Sequence, residues 1–213
     1  MNSDKDSHPK VKVCGITENK GLESACCHGA DFIGFLFYPA SPHYVDLKTA
    51  KQLISDIPPN IKSVGLFVNP ADQDIDQVIN HTRIDMIQLH GDESPERVAE
   101  IKKMSGLEVI KAIQVKAREA LRQAPEFRDS ADWLIFDSGG GSGQTFNWDF
   151  LLDYKNPGKK WMLAGGLNTG NVKQAIDKLN PPALDISSGL ESSRGIKDPE
   201  KIKAFLKMVK QAD

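Results

Sequence analysis

The chain has 213 residues, of which 39% are hydrophobic and 26% charged, a size and balance that fit one globular domain around one substantial core. A net charge of -2 gives no basis for binding nucleic acid or an acidic membrane surface. No apolar run approaches the ~18 residues of a membrane-spanning helix. Residues 1–9 read as a polar, frayed tail without the apolar core of a secretory signal, and residues 10–213 as the folded domain. Three cysteines, with Cys26 and Cys27 adjacent, do not form a disulfide framework and point to a reducing cytoplasm.

Short apolar runs alternate with helical patterns from end to end, as in parallel α/β folds. The first run, residues 11–14, ends on Cys14-Gly15. Its period-2 alternation puts Lys12 and Cys14 on one face and Val13 on the other. An ammonium beside a thiol favours the thiolate, so Cys14 is expected to have a lowered pKa and to serve as base or nucleophile. The competing reading is a small residue buried at a strand end. Thr17 then caps a helix that stops at Gly29. After the run 32–38, Asp46 opens a helix carrying Leu47, Ala50, Leu53 and Ile54, halted by Pro58-Pro59. Runs 63–68 and 86–90 are followed by Asn69-Pro70 and Ser94-Pro95, each a cap residue before a proline at the first helical position. Run 109–113 leads into residues 116–132, whose thin apolar stripe predicts a short or distorted helix. Runs 133–137, 161–164 and 184–187 complete the set, with helices opened by Asn171 and by Asp198-Pro199. Eight strand–helix repeats argue for a closed, parallel (β/α)8 TIM barrel near the lower end of its usual size of about 200 to 400 residues. An open doubly wound sheet is the alternative.

In such a barrel, chemistry belongs at the C-terminal strand ends. Small and polar residues collect there: Cys14-Gly15, Gln88-Leu89-His90-Gly91, Asp137-Ser138, Gly165-Gly166 and Ser187-Ser188-Gly189. The turns after strands seven and eight fit a phosphate site. Glycine lets backbone N–H groups converge on an anion, and a following helix N-terminus adds a favourable dipole. A third glycine-rich loop, residues 139–143, includes Gly141 and Gly143. No basic residue lies inside these loops, so amides would hold the anion. Asp137 closes the apolar run Trp133-Leu134-Ile135-Phe136, where lost solvation favours its protonated form and a role as acid. A helix cap or an ion-paired carboxylate is the alternative. Asp185 has the same placement at strand eight. A metal held by His90, Asp137 and Asp185 matches no ligand spacing, and none is expected.

With these residues assembled, nearly the whole chain resembles the phosphoribosylanthranilate isomerase family of tryptophan biosynthesis. The matching motifs are Lys12-Val13-Cys14-Gly15-Ile16-Thr17, Gly34-Phe35-Leu36-Phe37-Tyr38 leading to Ser41-Pro42, Gln88-Leu89-His90-Gly91, the segment Gly140 to Trp148, Ala164-Gly165-Gly166-Leu167 and Asp185 to Glu191. The resemblance implies a cofactor-free Amadori rearrangement of N-(5-phosphoribosyl)anthranilate to 1-(o-carboxyphenylamino)-1-deoxyribulose 5-phosphate. It makes the residue matching Asp137 the general acid at the ribose ring oxygen and the residue matching Cys14 the base at sugar C2. It puts phosphate on Gly141, Gly143, Gly165, Gly166, Ser188 and Gly189, and the rest of the substrate against Lys12, His43, Gln88 and Asp185. The implied partner is a small phosphosugar, and the implied assembly a monomer or weak homodimer.

Two features depart from the family pattern. The residue after Ser41-Pro42 is usually Arg, a partner for the anthranilate carboxylate, and here it is His43, cationic only below about pH 6.5. The loop after Asp137 is also shorter than usual. Two other functions stay open on the residues alone: another phosphosugar enzyme, such as an epimerase or lyase, and an idle barrel that binds a phosphorylated metabolite.

Overall fold

The computed structural model describes residues 8–139, 144–152, 154 and 160–211. Eight strands run β1 (Lys10–Cys14), β2 (Phe32–Leu36), β3 (Lys62–Phe67), β4 (Met86–Leu89), β5 (Glu108–Gln114), β6 (Trp133–Asp137), β7 (Lys160–Leu163) and β8 (Ala183–Ile186). They pair in parallel in sequence order, and β1 bonds to β8 with Lys12 opposite Asp185, which closes the barrel. That pairing rules out the open sheet. The strands end one or two residues earlier than several of the apolar runs, because residues such as Phe37, Val68 and His90 already belong to the rim.

Side-chain alternation divides each strand between two cores. The outward residues, among them Val11, Val13, Ile33 and Phe35, pack under the helices. The inward residues Phe32, Val64, Met86, Ile110, Trp133, Ile135, Met162 and Ala183 fill the barrel interior, where Phe32 meets Trp133 edge to face at 5.7 Å. Along β4, β5, β6 and β8 the inward positions change from apolar to polar toward the C-terminal end. Trp133 and Ile135 lead to Asp137, Met86 to Gln88, and Ala183 to Asp185. The interior is therefore apolar at one end and lined by polar and titratable side chains at the other.

The outer layer comprises α1 (Asn19–Cys27), α2 (Leu47–Ser55), α3 (Asp72–His81), α4 (Pro95–Ser105), a 3₁₀ segment (Arg118–Phe127), α5 (Asp149–Leu152), α6 (Val172–Leu179) and α7 (Pro199–Lys210). In α7, Ile202, Phe205, Leu206 and Val209 recur at i, i+3, i+4 and i+7 and are all fully buried. Each such side chain contributes about 1.5–3 kcal/mol on burial, far above any propensity difference. Asp46, Ser94 and Asp198 cap their helices as expected, accepting from Thr49, Arg97 and Glu200 N–H groups at 2.7, 3.3 and 2.9 Å. The thin unit at 116–132 forms the 3₁₀ segment, interrupted by Pro125.

Three other expected caps serve different ends. Thr17 lies two residues before α1 and donates its hydroxyl to the Gly195 carbonyl at 3.2 Å. Asn69 takes a left-handed conformation, φ +47°, and accepts from the Asp92 N–H at 2.8 Å, so α3 starts later, at Asp72. Asn171 does precede α6, but its side chain accepts from Asn168 N–H and donates to the Gly166 carbonyl, both at 2.9 Å. It pins the β7–α6 loop. After β8, a 3₁₀ turn (Ser188–Leu190) leads into a small antiparallel hairpin, β9 (Glu191–Ser193) with β10 (Ile196–Lys197). No helix among the described residues is long and apolar enough to cross a membrane.

Candidate active site

The polar ends of the inward strand positions open into a cavity of about 510 Å³. Cys14 from β1 and Asp137 from β6 both line it, together with Gln88, His90, Gln114 and Asp185. Residues far apart in sequence thus meet because neighbouring strands bring the inward side chains of their C-terminal ends to one rim.

Cys14 is buried, and beneath it Lys12, with no exposed surface, places its ammonium 2.9 Å from Asp185 Oδ1. Burial alone would lower the Lys12 pKa. Its neighbours Asp185 and Cys14 outweigh that cost and raise its pKa. The expectation of a lowered Cys14 pKa is corrected. Burial pushes the thiol up, because it disfavours the thiolate more strongly than the Lys12 charge and hydrogen bond favour it, and Asp185 adds repulsion. Lys12 is not among the residues that line the cavity, and its partners are Asp185 and Cys14.

Asp137 is buried at the rim, with Oδ2 3.2 Å from His90 Nε2 and Oδ1 3.5 Å from the Ser138 hydroxyl. The imidazole is close but not aligned for a hydrogen bond, so His90 Nε2 has no hydrogen-bond partner among the described residues. Gln88 bonds His90 Nδ1 through Nε2 at 3.2 Å, leaving Gln88 Oε1 buried and unpaired as well. Two orphaned polar atoms facing one cavity are a ready site for ligand hydroxyls, since a buried polar group left without a partner costs about 1–3 kcal/mol.

Gly165, Gly166 and Ser188 form one wall of the cavity. Both glycines take positive φ, +86° and +64°, a conformation that turns the chain sharply and is open to few other residues. Gly189 stands behind this wall, packed against the Leu167 carbonyl. Gly141 and Gly143 lie outside the described residues. Among the described residues no three His, Cys, Asp or Glu side chains are grouped to hold a metal ion.

Where the β2–α2 loop and the hairpin line the cavity, His43 Nε2 bonds Glu191 Oε1 at 2.6 Å. Burial lowers the His43 pKa below its ordinary 6.5, outweighing the Glu191 hydrogen bond, and nearby Lys197 and Arg194 charges add to the effect. Burial works against an ionised Glu191. The hydrogen bonds from His43 and the Gly195 N–H and the Lys197 charge prevail, holding its pKa below the ordinary value. Near neutral pH the pair is therefore a neutral imidazole donating to a carboxylate, with Lys197 Nζ 3.1 Å from Glu191 Oε1 as the counter-charge. Lys197 also donates to the Ser187 carbonyl and hydroxyl at 3.1 and 3.0 Å. Glu191, Arg194 and Lys197 had no identifiable role in the sequence. The hairpin that carries them spans only a few residues and shows no alternation.

A family model described as N-(5'phosphoribosyl)anthranilate (PRA) isomerase matches residues 11–208. The N-(5'-phosphoribosyl)anthranilate isomerase of Paracoccus denitrificans is 43% identical over 92% of this chain and 94% of its own. The crystal structure of phosphoribosyl anthranilate isomerase from Thermotoga maritima superposes with a TM-score of 0.88 at 36% identity, covering 95% of this chain and 98% of that one. A further structure of such an enzyme, in complex with reduced 1-(o-carboxyphenylamino)-1-deoxyribulose 5-phosphate, gives 0.85 at 35% identity, with coverage of 95% and 98%.

Proposed function

The chain belongs to the N-(5'-phosphoribosyl)anthranilate isomerase family, and from that premise we propose that Cys14 and Asp137 are the base and acid of its reaction. The reaction is the isomerisation of N-(5-phosphoribosyl)anthranilate to 1-(o-carboxyphenylamino)-1-deoxyribulose 5-phosphate in tryptophan biosynthesis. The observation that carries the assignment is that the sulfur and the carboxyl line one cavity, which also has a glycine-built wall suited to phosphate.

Asp137, as the acid, gives its proton to the ribose ring oxygen. The C1–O bond breaks, and the nitrogen lone pair forms the C=N bond of a Schiff base. Cys14, as thiolate, removes the proton from C2. The C–H electrons become the C1=C2 bond of an enolamine, and the iminium nitrogen is neutralised. Tautomerisation then moves a proton from the C2 hydroxyl to C1 and leaves the ketone. One proton returning from Cys14 to Asp137 through solvent resets the pair, so the substrate gains and loses no atoms overall. Burial favours the neutral thiol, and Lys12 is the positioning residue that offsets the charge when the thiolate forms. Phosphate rests on Gly165, Gly166 and Ser188 with Gly189 behind them, and on the loop of Gly141 and Gly143. Gln88 Oε1 and Asp185 accept from sugar hydroxyls, and His43 borders the aryl end.

The test is the loss of anthranilate fluorescence when the protein is added to freshly prepared substrate, with and without a chelator. Equal, catalytic loss in both samples is expected. No loss would favour an idle binding barrel, and loss abolished by the chelator would favour a metal-dependent phosphosugar enzyme.

A further inference from the structure

The substrate carries a second anion besides its phosphate, the carboxylate on the aryl ring, which needs a cationic or hydrogen-bonding partner of its own in the cavity. We infer that Arg194, at the tip of the β9–β10 hairpin, is the residue that binds this carboxylate. The inference deepens the proposed function and rests on it.

Among the described residues that line the cavity, Arg194 alone carries a permanent positive charge. It is exposed, and its guanidinium has no hydrogen bond or ion pair among the described residues, so its fork of N–H donors is free for a ligand. The other candidate lining the cavity, His43, has its Nε2 committed to Glu191 and is neutral near neutral pH. Glu191 would repel an incoming carboxylate, but Lys197 and the Gly195 N–H already compensate its charge. The aryl ring would lie between Tyr38 and Pro42, which line the same cavity.

The hairpin holds Arg194 in place instead of leaving it on a free loop. Arg194 and Gly195 form its two-residue turn, and Gly195 has φ +87°. A Cβ there would come within 2.6 Å of the Pro42 carbonyl, so only glycine lets the turn lie on the β2–α2 loop. The Gly195 N–H donates to Glu191 Oε2 at 3.1 Å, and its carbonyl accepts from Thr17. This turn therefore brings to the cavity the guanidinium that position 43 lacks.

The experiment compares wild type with Arg194→Ala and Arg194→Lys on the natural substrate and on its analogue without the carboxylate, N-(5-phosphoribosyl)aniline. For the natural substrate, Arg194→Ala should raise KM about 10- to 100-fold with kcat nearly unchanged, as expected for a lost charge-assisted hydrogen-bond pair. Arg194→Lys should fall in between, and the analogue should show the same KM with all three proteins. An unchanged KM in Arg194→Ala, or an equal rise for the analogue, would overturn the inference while leaving the isomerase assignment intact. Absence of turnover by the wild type on either substrate would instead remove the proposed function and this inference with it.

Discussion

At Cys14 two effects oppose each other over one proton, and their balance depends on depth. The ammonium of Lys12 stabilises a thiolate, while burial and the Asp185 carboxylate destabilise it, and burial is the largest of the three. The sign is a raised pKa, so the thiolate that acts as base is the minor form at neutral pH and its share grows as pH rises. A thiolate absorbance titration of wild type minus Cys14→Ala should show a midpoint above the ordinary value of about 8.5. A midpoint below it would mean that Lys12 dominates. The pairing of Lys12 with Cys14 was legible in the sequence, because alternation in a strand fixes which residues share a face. The direction of the shift was not, because the burial that sets it comes from the closed fold around the site. His43 shows the same limit. Its change from the family's arginine could be read directly, whereas its engagement by Glu191, 148 positions away, required the closed fold.

Helix caps separate local from long-range determination at the level of elements. Asp198, Ser94 and Asp46 find their acceptor geometry within three residues, so the sequence alone located them. Thr17 and Asn69 have suitable side chains too, but Gly195 and Asp92 bind them from other loops, and their helices begin elsewhere. Replacing Asp198 by Ala should cost about 1 kcal/mol, the usual worth of such a cap, and lower Tm by about 2–4 °C. The measurement is thermal unfolding followed by far-UV circular dichroism. No change would mean that the buried face of α7 fixes the helix start without its cap. The β9–β10 hairpin is the element that sequence patterns miss, yet it brings Glu191 and Arg194 to the cavity, with Lys197 buried against Glu191.

Across the whole molecule, barrel closure converts a one-dimensional pattern into a chemical gradient. Strand starts contribute apolar side chains to the interior, and strand ends contribute a thiol, carboxyls, an amide and an imidazole to one rim. The eight alternating runs therefore revealed the architecture and the end of the barrel at which polar side chains collect. They could not reveal how the cavity's two walls divide their work, since glycine turns form one and a hairpin with a half-buried ion-pair network forms the other. The central claim is that Cys14 and Asp137 move protons across a sugar phosphate held between those walls. Its most direct test is kcat for purified Cys14→Ala and Asp137→Asn, each shown by circular dichroism to be folded. Each is expected to lose about 10²- to 10⁴-fold in kcat. Near-normal turnover by either folded variant would contradict the role assigned to that residue.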